Sequence, residues 1–447
     1  MKRILCLALV AMLALAGCGR PAGGVVEGSL PGAPVTQVAP SATTAATPTQ
    51  PPPTSTALPT PTLLPSATPS PGATASATPP PAPSPSATPA GAGAAGTTPE
   101  GIAIRPDLPG KLAFTRGNTI MLYVPRSGAL TVLIEDGRDP QFSPDGAQLA
   151  FVREDGLYLA AADGSNARRV VEGRGLRWPR WSDDGSKLVY QQPIEAQSNA
   201  SVLYVLELAL GTPVRIAEGA DPAWDPAGKR IAYVTAVPNS SAGPRRNELH
   251  LVNWRGQNDW PVVRGLPADT PAIGIPGNQV PPAQLEHVMV TPLWNADGSA
   301  LYVPAFVLYQ ALTDFTILER ADPVNGGSVF VAQGAFGRGT AAPNRQVAVF
   351  EVPSARGDVQ LSVYPLNETD DRQRYAWAAT SEVALHAAPA WAPDSNALAA
   401  LRCRPETPGA CDLILRAPGR SDSQVLIPQA LTGEDAVMGE QQLTWGR

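Results

Sequence analysis

The side chains in this sequence that could do chemistry are few, and their spacing decides what they can do. His250, His287 and His386 stand alone, without the short intervals that place two ligands on one metal ion, so each reads as a strand or loop residue. A second set recurs along the chain: Asp145, Asp184, Asp297 and Asp394, three of them followed by Gly146, Gly185 and Gly298, with Gly228 in an equivalent place. Asp-Gly supplies the positive φ angles of a tight turn, so these carboxylates read as turn residues and not as a catalytic pair. Phe142, Trp181, Trp224, Trp294, Trp391 and Trp445 could stack on sugars or bases, but recurrence at one place in a repeating unit points to packing between units. No G-x-S-x-G elbow, P-loop, G-x-G-x-x-G or calcium loop occurs, and Arg356-Gly357-Asp358 reads as a turn between two strand-like runs. The expectation is therefore a chain without catalytic residues, metal or cofactor.

The thiols are more informative. Lys2 and Arg3 precede Ile4 to Gly17, a small and apolar run of the kind found in export leaders. As a helix it would span roughly 21 Å, short of a hydrocarbon core of about 30 Å. At its end, Leu15-Ala16-Gly17-Cys18 resembles the lipobox of bacterial lipoproteins. That resemblance implies cleavage before Cys18, acylation of its thiol and a chain held on the outer face of the cell membrane or on the outer membrane. Cys6 leaves with the leader. Cys403 and Cys411 remain as an isolated pair in an exported chain, where oxidation is permitted, and are expected to form a disulfide across the turn-rich segment between them. A redox pair or a metal site is the alternative, although the spacing is not C-x-x-C and no histidine is near.

Composition divides the remainder. Of the 50 prolines, 20 fall between Pro21 and Arg105, and from Pro31 to Pro99 there is no charged side chain. Such a segment cannot bury enough apolar surface to offset the entropy of ordering, so it is expected to be a disordered tether reaching between roughly 50 Å as a coil and about 260 Å as polyproline II. Every Trp, Tyr and Phe lies beyond it. The expected domains are thus a leader over 1–17, the lipidated Cys18 and its tether over 18–105, and a folded domain over 106–447. The formal charge of -6 becomes -8 once the leader is gone, and with no basic run the chain lacks the footprint of nucleic-acid binding.

The folded part repeats. Pro140-Gln-Phe142-Ser-Pro-Asp145-Gly146-Ala-Gln-Leu149-Ala-Phe151 recurs, with changes, from Pro179, Pro222, Pro292 and Pro389. In each copy an aromatic ends one strand, the turn follows, and alternating apolar residues start the next strand. Second runs such as Leu157-Tyr-Leu159 bring each unit to about four strands, the pattern of β-propeller blades. The copies resemble the WD40-like (PD40) repeats of the TolB family, which implies an extracytoplasmic propeller with a binding role.

Gly110-Lys-Leu112-Ala-Phe114 opens the folded part as the second half of a repeat, and Leu443-Thr-Trp445 closes it as the first half. Together they make one blade, and a worn copy from Ala342 to Val349 brings the expected number to seven. Six, without the worn copy, and eight, using the gap between Trp224 and Trp294, stay open. The stretch from Arg255 to His287 is expected to be a long insertion. The function expected is the display of a non-catalytic propeller that binds a protein, peptide or glycan. The alternatives are a glycan-active hydrolase or lyase, with acidic residues from separate blades meeting in the channel, and a structural component of the cell envelope.

Overall fold

In the computed structural model the described residues are 96–98, 100–194, 201–237, 244–271, 274–275, 278–281, 284–308, 315–334, 336–353, 359–366, 385–404, 409–416, 423–433 and 442–447. The leader, Cys18, most of the tether and Arg356-Gly357-Asp358 lie outside them.

The strands group, in chain order, into seven blades among the described residues. Blade 1 joins Leu443–Gly446 to Lys111–Arg116, Thr119–Val124 and Ala129–Ile134. Leu112 pairs with Trp445 and Phe114 with Leu443, so the late half-repeat completes the early one and closes the ring. Blade 2 is Arg138–Phe142, Gln148–Arg153, Gly156–Ala161 and Arg168–Glu172. Blade 3 begins with Arg177–Trp181, Lys187–Pro193 and Ser201–Glu207; the long strand Pro213–Trp224 finishes it and then starts blade 4, which continues through Arg230–Val234, Leu249–Asn253 and Trp260–Val263. In blade 5, Glu286–Met289 and Leu293–Trp294 both pair with Leu301–Leu308, followed by Phe315–Ala321 and Ser328–Gly334. Blade 6 shows Gly339–Ala341, Val347–Pro353 and Val359–Pro365, and blade 7 is Leu385–Trp391, Leu398–Cys403, Ala410–Arg416 and Gln424–Thr432.

The count of seven settles the gap between Trp224 and Trp294. That span holds the outer strands of blade 4 and a short hairpin, Gly274–Ile275 with Asn278–Gln279. The expected insertion is accordingly shorter than the sequence suggested. Trp260–Val263 belongs to the blade, its pattern masked by Pro261 and by an outer strand's half-exposed surface.

The second strand of each blade explains the runs of apolar residues. Both of its faces are covered by neighbouring blades, so its sequence is continuously apolar where a half-buried strand would alternate. Leu112, Leu149, Leu188, Ile231 and Leu301 are completely buried, each contributing about 2 kcal/mol from burial. Outer strands such as Ala129–Ile134 and Arg168–Glu172 are largely exposed. Residues 96–104, assigned by composition to the tether, instead form a two-stranded pair, Gly96–Thr97 with Ala103–Ile104. Ala103 and Leu108 are buried in the core shared by blades 7 and 1, because apolar side chains resume at Ile102.

Candidate functional site

Five inner strands share a local irregularity three residues before the repeat aromatic. Asp139, Trp178, Asp221, Thr291 and Ala388 all have φ between 37° and 54°, in the left-handed region, although none is glycine. Strand register shifts at the same place in blades 2, 3, 4 and 7, the mark of a β-bulge. Each of these residues is followed by proline, which has no N–H to leave unpaired where the ladder breaks.

Side chains at and near the bulges link one blade to the next. Asp139 accepts a hydrogen bond from the Trp178 N–H at 3.1 Å, and Asp221 accepts one from the Thr291 N–H at 3.1 Å. The Gly339 N–H donates to Thr291 Oγ1 at 3.2 Å, and the Ala388 N–H to Glu351 Oε1 at 3.3 Å.

Blades that are not neighbours can meet only across the axis of the ring, and two arginines of blade 6 do so. Arg338 forms an ion pair with Asp221 of blade 4 at 3.0 Å, and its guanidinium lies over the ring of Trp178 of blade 3, 5.2 Å from the centroid. At the end of the channel marked by the Asp-Gly turns, Arg345 pairs with Asp183 of blade 3 at 2.6 Å and donates to the Trp224 carbonyl at 3.1 Å. The channel is thus bridged at its turn end. The bulges line the opposite end, its mouth.

Strand direction puts the long connections on the mouth's side. Inner strands run from the mouth to the Asp-Gly turns, so the links from second to third strands and from one blade to the next lie around the mouth. Among the described residues these include 235–237 and 244–248, between the second and third strands of blade 4, and 264–271 and 284–285, between blades 4 and 5, whereas the turns 143–147, 182–186 and 225–229 at the other end are short.

Charge is concentrated at the mouth. Burial pushes the Asp139 carboxyl up, opposed by the Trp178 N–H and by Arg138, Arg180 and Arg177. Burial likewise pushes Glu351 up to about 7, opposed by Arg338. Arg180 is exposed, but the protein around it desolvates the guanidinium and, with Arg338, lowers its pKa against the pull of Asp139 and Asp221. Arg338 is raised, chiefly by Asp221. Neither Arg177 nor Arg180 has an ion-pair partner among the described residues; Arg180 Nη1 only approaches Gln442 Oε1 at 3.4 Å.

The residues singled out from the sequence lie elsewhere. Trp181, Trp224, Trp294 and Trp391 end their inner strands, buried, and each indole donates to a carbonyl of the preceding blade: Gln141, Arg180, Ala223 and Thr340, at 3.0 to 3.1 Å. Trp445 donates to the Pro109 carbonyl at 2.8 Å, and Phe142 is buried against blade 1. Asp145, Asp184, Asp297 and Asp394 each accept a backbone N–H two residues on, at 2.9 to 3.0 Å, within their own turns. Gly146, Gly185, Gly228 and Gly298 take φ from 63° to 73° in those turns. Asp225 serves the turn at Gly228, and in the worn copy Asn344 and Arg345 stand where Asp-Gly stands elsewhere.

Cys403 and Cys411 are direct partners on adjacent strands of blade 7 and form a disulfide. His287 bonds Glu319, both fully buried; His250 lies between Glu248 and Asp259, and His386 bonds the Val359 carbonyl. Among the described residues no group of three or more His, Cys, Asp or Glu is disposed to hold a metal ion.

The mouth residues escaped the sequence reading because the copies were aligned from their proline onward. The position just before it holds Asp, Trp, Asp, Thr and Ala, no more varied than several solvent-facing positions of the same copies, so repetition alone does not single it out.

Among solved structures the chain is similar to an oligogalacturonate lyase in complex with manganese, at 16% identity over 67% of this chain and 82% of that one, with a TM-score of 0.51. It is also similar to the β-propeller domain of the Trilobed protease from Pyrococcus furiosus, described as having an open velcro topology, at 12% identity over 72% and 98% of the two chains, with a TM-score of 0.50. TolB from Acinetobacter baumannii matches at 15% identity over 77% and 68%, with a TM-score of 0.41. No protein-family model matches the chain, and no curated protein does.

The chain is a β-propeller. The expectation that it is not an enzyme, drawn from the lack of a catalytic motif, is corrected here, because the solved structures it resembles include a lyase and the propeller domain of a protease. One propeller scaffold carries both binding and catalytic sites, so the fold gives no ground for excluding catalysis.

Proposed function

We propose that this chain is an exported lipoprotein, anchored through Cys18 and held off the membrane by its proline-rich tether, and that its propeller takes an external ligand at the channel mouth. The export leader and the lipobox-like Leu15-Ala16-Gly17-Cys18 support the anchor. One observation carries the site: Arg177 and Arg180, exposed and without ion-pair partners among the described residues, flank Trp178 where the inner strands converge. Binding sites favour concave places where a few polar groups converge.

The anchor is tested by fractionation, in which Cys18→Ser should move the protein from membranes to the soluble fraction. The site is tested by probing glycan and peptide arrays with the full chain and with an Arg177→Glu, Arg180→Glu variant. Array signals that survive the charge reversal would put the site elsewhere.

Glu351 favours a second reading, a glycan-active hydrolase or lyase. A carboxyl at about 7 can give or take a proton at neutral pH, and Asp221 supplies a second carboxylate beside the same Arg338. Turnover of an acidic polysaccharide that disappears in Glu351→Gln supports this reading, and turnover indifferent to that change sinks it.

A further inference from the structure

Building on the channel-mouth reading, we propose that the ligand is an acidic glycan, bound end-on, with a uronate carboxylate held by Arg177 and Arg180 and the sugar ring against Trp178.

The charges at the mouth are unequally matched. Asp221 is taken by Arg338, and Asp139 is buried with a carboxylate oxygen occupied by the Trp178 N–H. Arg177 and Arg180, near enough to Asp139 to act on its carboxyl, are left exposed without a direct ion pair among the described residues. Both side chains are exposed and their donors are not taken up by a carboxylate of the protein, so an anionic ligand finds two guanidinium groups ready to bind it. The planar guanidinium fork matches a carboxylate in two parallel hydrogen bonds. Both arginines and the indole issue from the four-residue segment Arg177-Trp178-Pro179-Arg180, fixed by the bulge at Trp178.

The rest of the lining selects the kind of molecule. Asp139, Asp221 and Arg338 stand by these groups, and no large aliphatic side chain occurs among the bulge residues Asp139, Trp178, Asp221, Thr291 and Ala388. Peptide side chains need apolar pockets, whereas a sugar needs many hydrogen-bonding groups and a flat aromatic. Trp178 is half-buried beneath Arg338, and what remains of its surface opens on the channel.

Two further features limit the ligand to a chain end. The protein as a whole is acidic, so a long polyanion laid across its surface is repelled while one carboxylate entering the basic mouth is not. Arg345 and Asp183 bridge the far end of the channel, so a polymer has no way through.

The test is titration calorimetry on the full chain carrying Cys18→Ser, using a tetrameric oligouronate, the same oligosaccharide with its carboxylates reduced to alcohols, and a tetraglutamate peptide. The oligouronate should bind, the reduced sugar at least about tenfold more weakly, and longer oligouronates no more tightly. Arg177→Gln, on an exposed side chain, and Arg180→Lys, which keeps charge but not the fork, should each weaken oligouronate binding by about tenfold or more. Arg215→Gln, on the exposed outer strand of blade 3, should change nothing.

Equal binding of acid and reduced sugar, or affinity that climbs with chain length, overturns the proposal. So does the absence of oligouronate binding. Tetraglutamate bound more tightly than the sugar, and dependent on Arg177, overturns the glycan while leaving the channel mouth as the site. The charge-reversal arrays judge the mouth independently of ligand class.

Discussion

The Asp139 carboxylate holds the backbone N–H of Trp178, 39 residues away, at the equivalent place in the next blade. Asp221 holds Thr291 in the same way. In blades 3, 5 and 7 the bulge therefore presents a donor that the preceding blade satisfies, and the ring is tied at the point where its candidate site lies.

Replacing Asp139 by alanine leaves that N–H without its acceptor in a buried place and should cost about 1–3 kcal/mol in urea unfolding. Asparagine retains a carbonyl oxygen and carries no charge to desolvate, so Asp139→Asn should cost less than Asp139→Ala. Equal costs for the two variants would mean that the hydrogen bond contributes nothing.

The indole latches make a second prediction. Trp224 fills the space between blades 3 and 4 and donates to the Arg180 carbonyl at 3.1 Å. Trp224→Phe keeps most of the packing and loses the bond, for about 1 kcal/mol, whereas Trp224→Ala also opens a cavity and should cost about 3–5 kcal/mol. A thermal melt of the two variants separates packing from hydrogen bonding, and similar losses for both would rule out the packing account.

These two contacts mark what was legible in the sequence. Trp224 recurs because most blades use an aromatic to fill the same wedge, and Gly146 or Gly185 recurs because the turns need the same left-handed residue. Repetition exposes requirements that all blades share, including the closure of Leu443–Gly446 onto Lys111–Arg116. A site at the axis has the opposite signature: each blade contributes one different side chain, so Asp139, Trp178 and Asp221 look unrelated until the fold brings them together. Glu351 was hidden further, since it lies on the second strand of the worn blade and its properties come from Arg338 and from burial.

The disulfide supplies a third prediction. Cys403 and Cys411 pair across blade 7 and are buried in the core that blade shares with blade 1, the seam where the ring closes. Closing so short a loop is expected to contribute about 2.5 kcal/mol by limiting the unfolded chain. A Cys403→Ala, Cys411→Ala variant should lose roughly that much stability under non-reducing conditions. Addition of a thiol reductant should bring the parent down towards the variant and leave the variant unmoved; a parent indifferent to reductant, with the bond shown to be broken, would contradict the contribution assigned to it.

Glu351 gives stability a pH dependence of predictable sign. Its carboxyl rises from an ordinary 4.5 to about 7 on folding because burial disfavours the charged form more than Arg338 restores it. Between those values the folded chain holds a proton that the unfolded chain has lost. The stabilisation from this group is therefore complete below about pH 4.5 and falls as the pH rises through 7, by at most about 3 kcal/mol. Asp139, also raised by burial, acts in the same direction, so a slope persists when Glu351 is removed. The lowered carboxylates Asp145, Asp297 and Asp322 act in the opposite direction, but mainly below their ordinary 3.8 and so outside this window. Glu351→Gln should lie close to the parent or slightly below it at pH 5 and become the more stable of the two by pH 8. Urea midpoints measured across that range decide the matter: curves that stay parallel would show that Glu351 keeps an ordinary carboxylate in the folded channel.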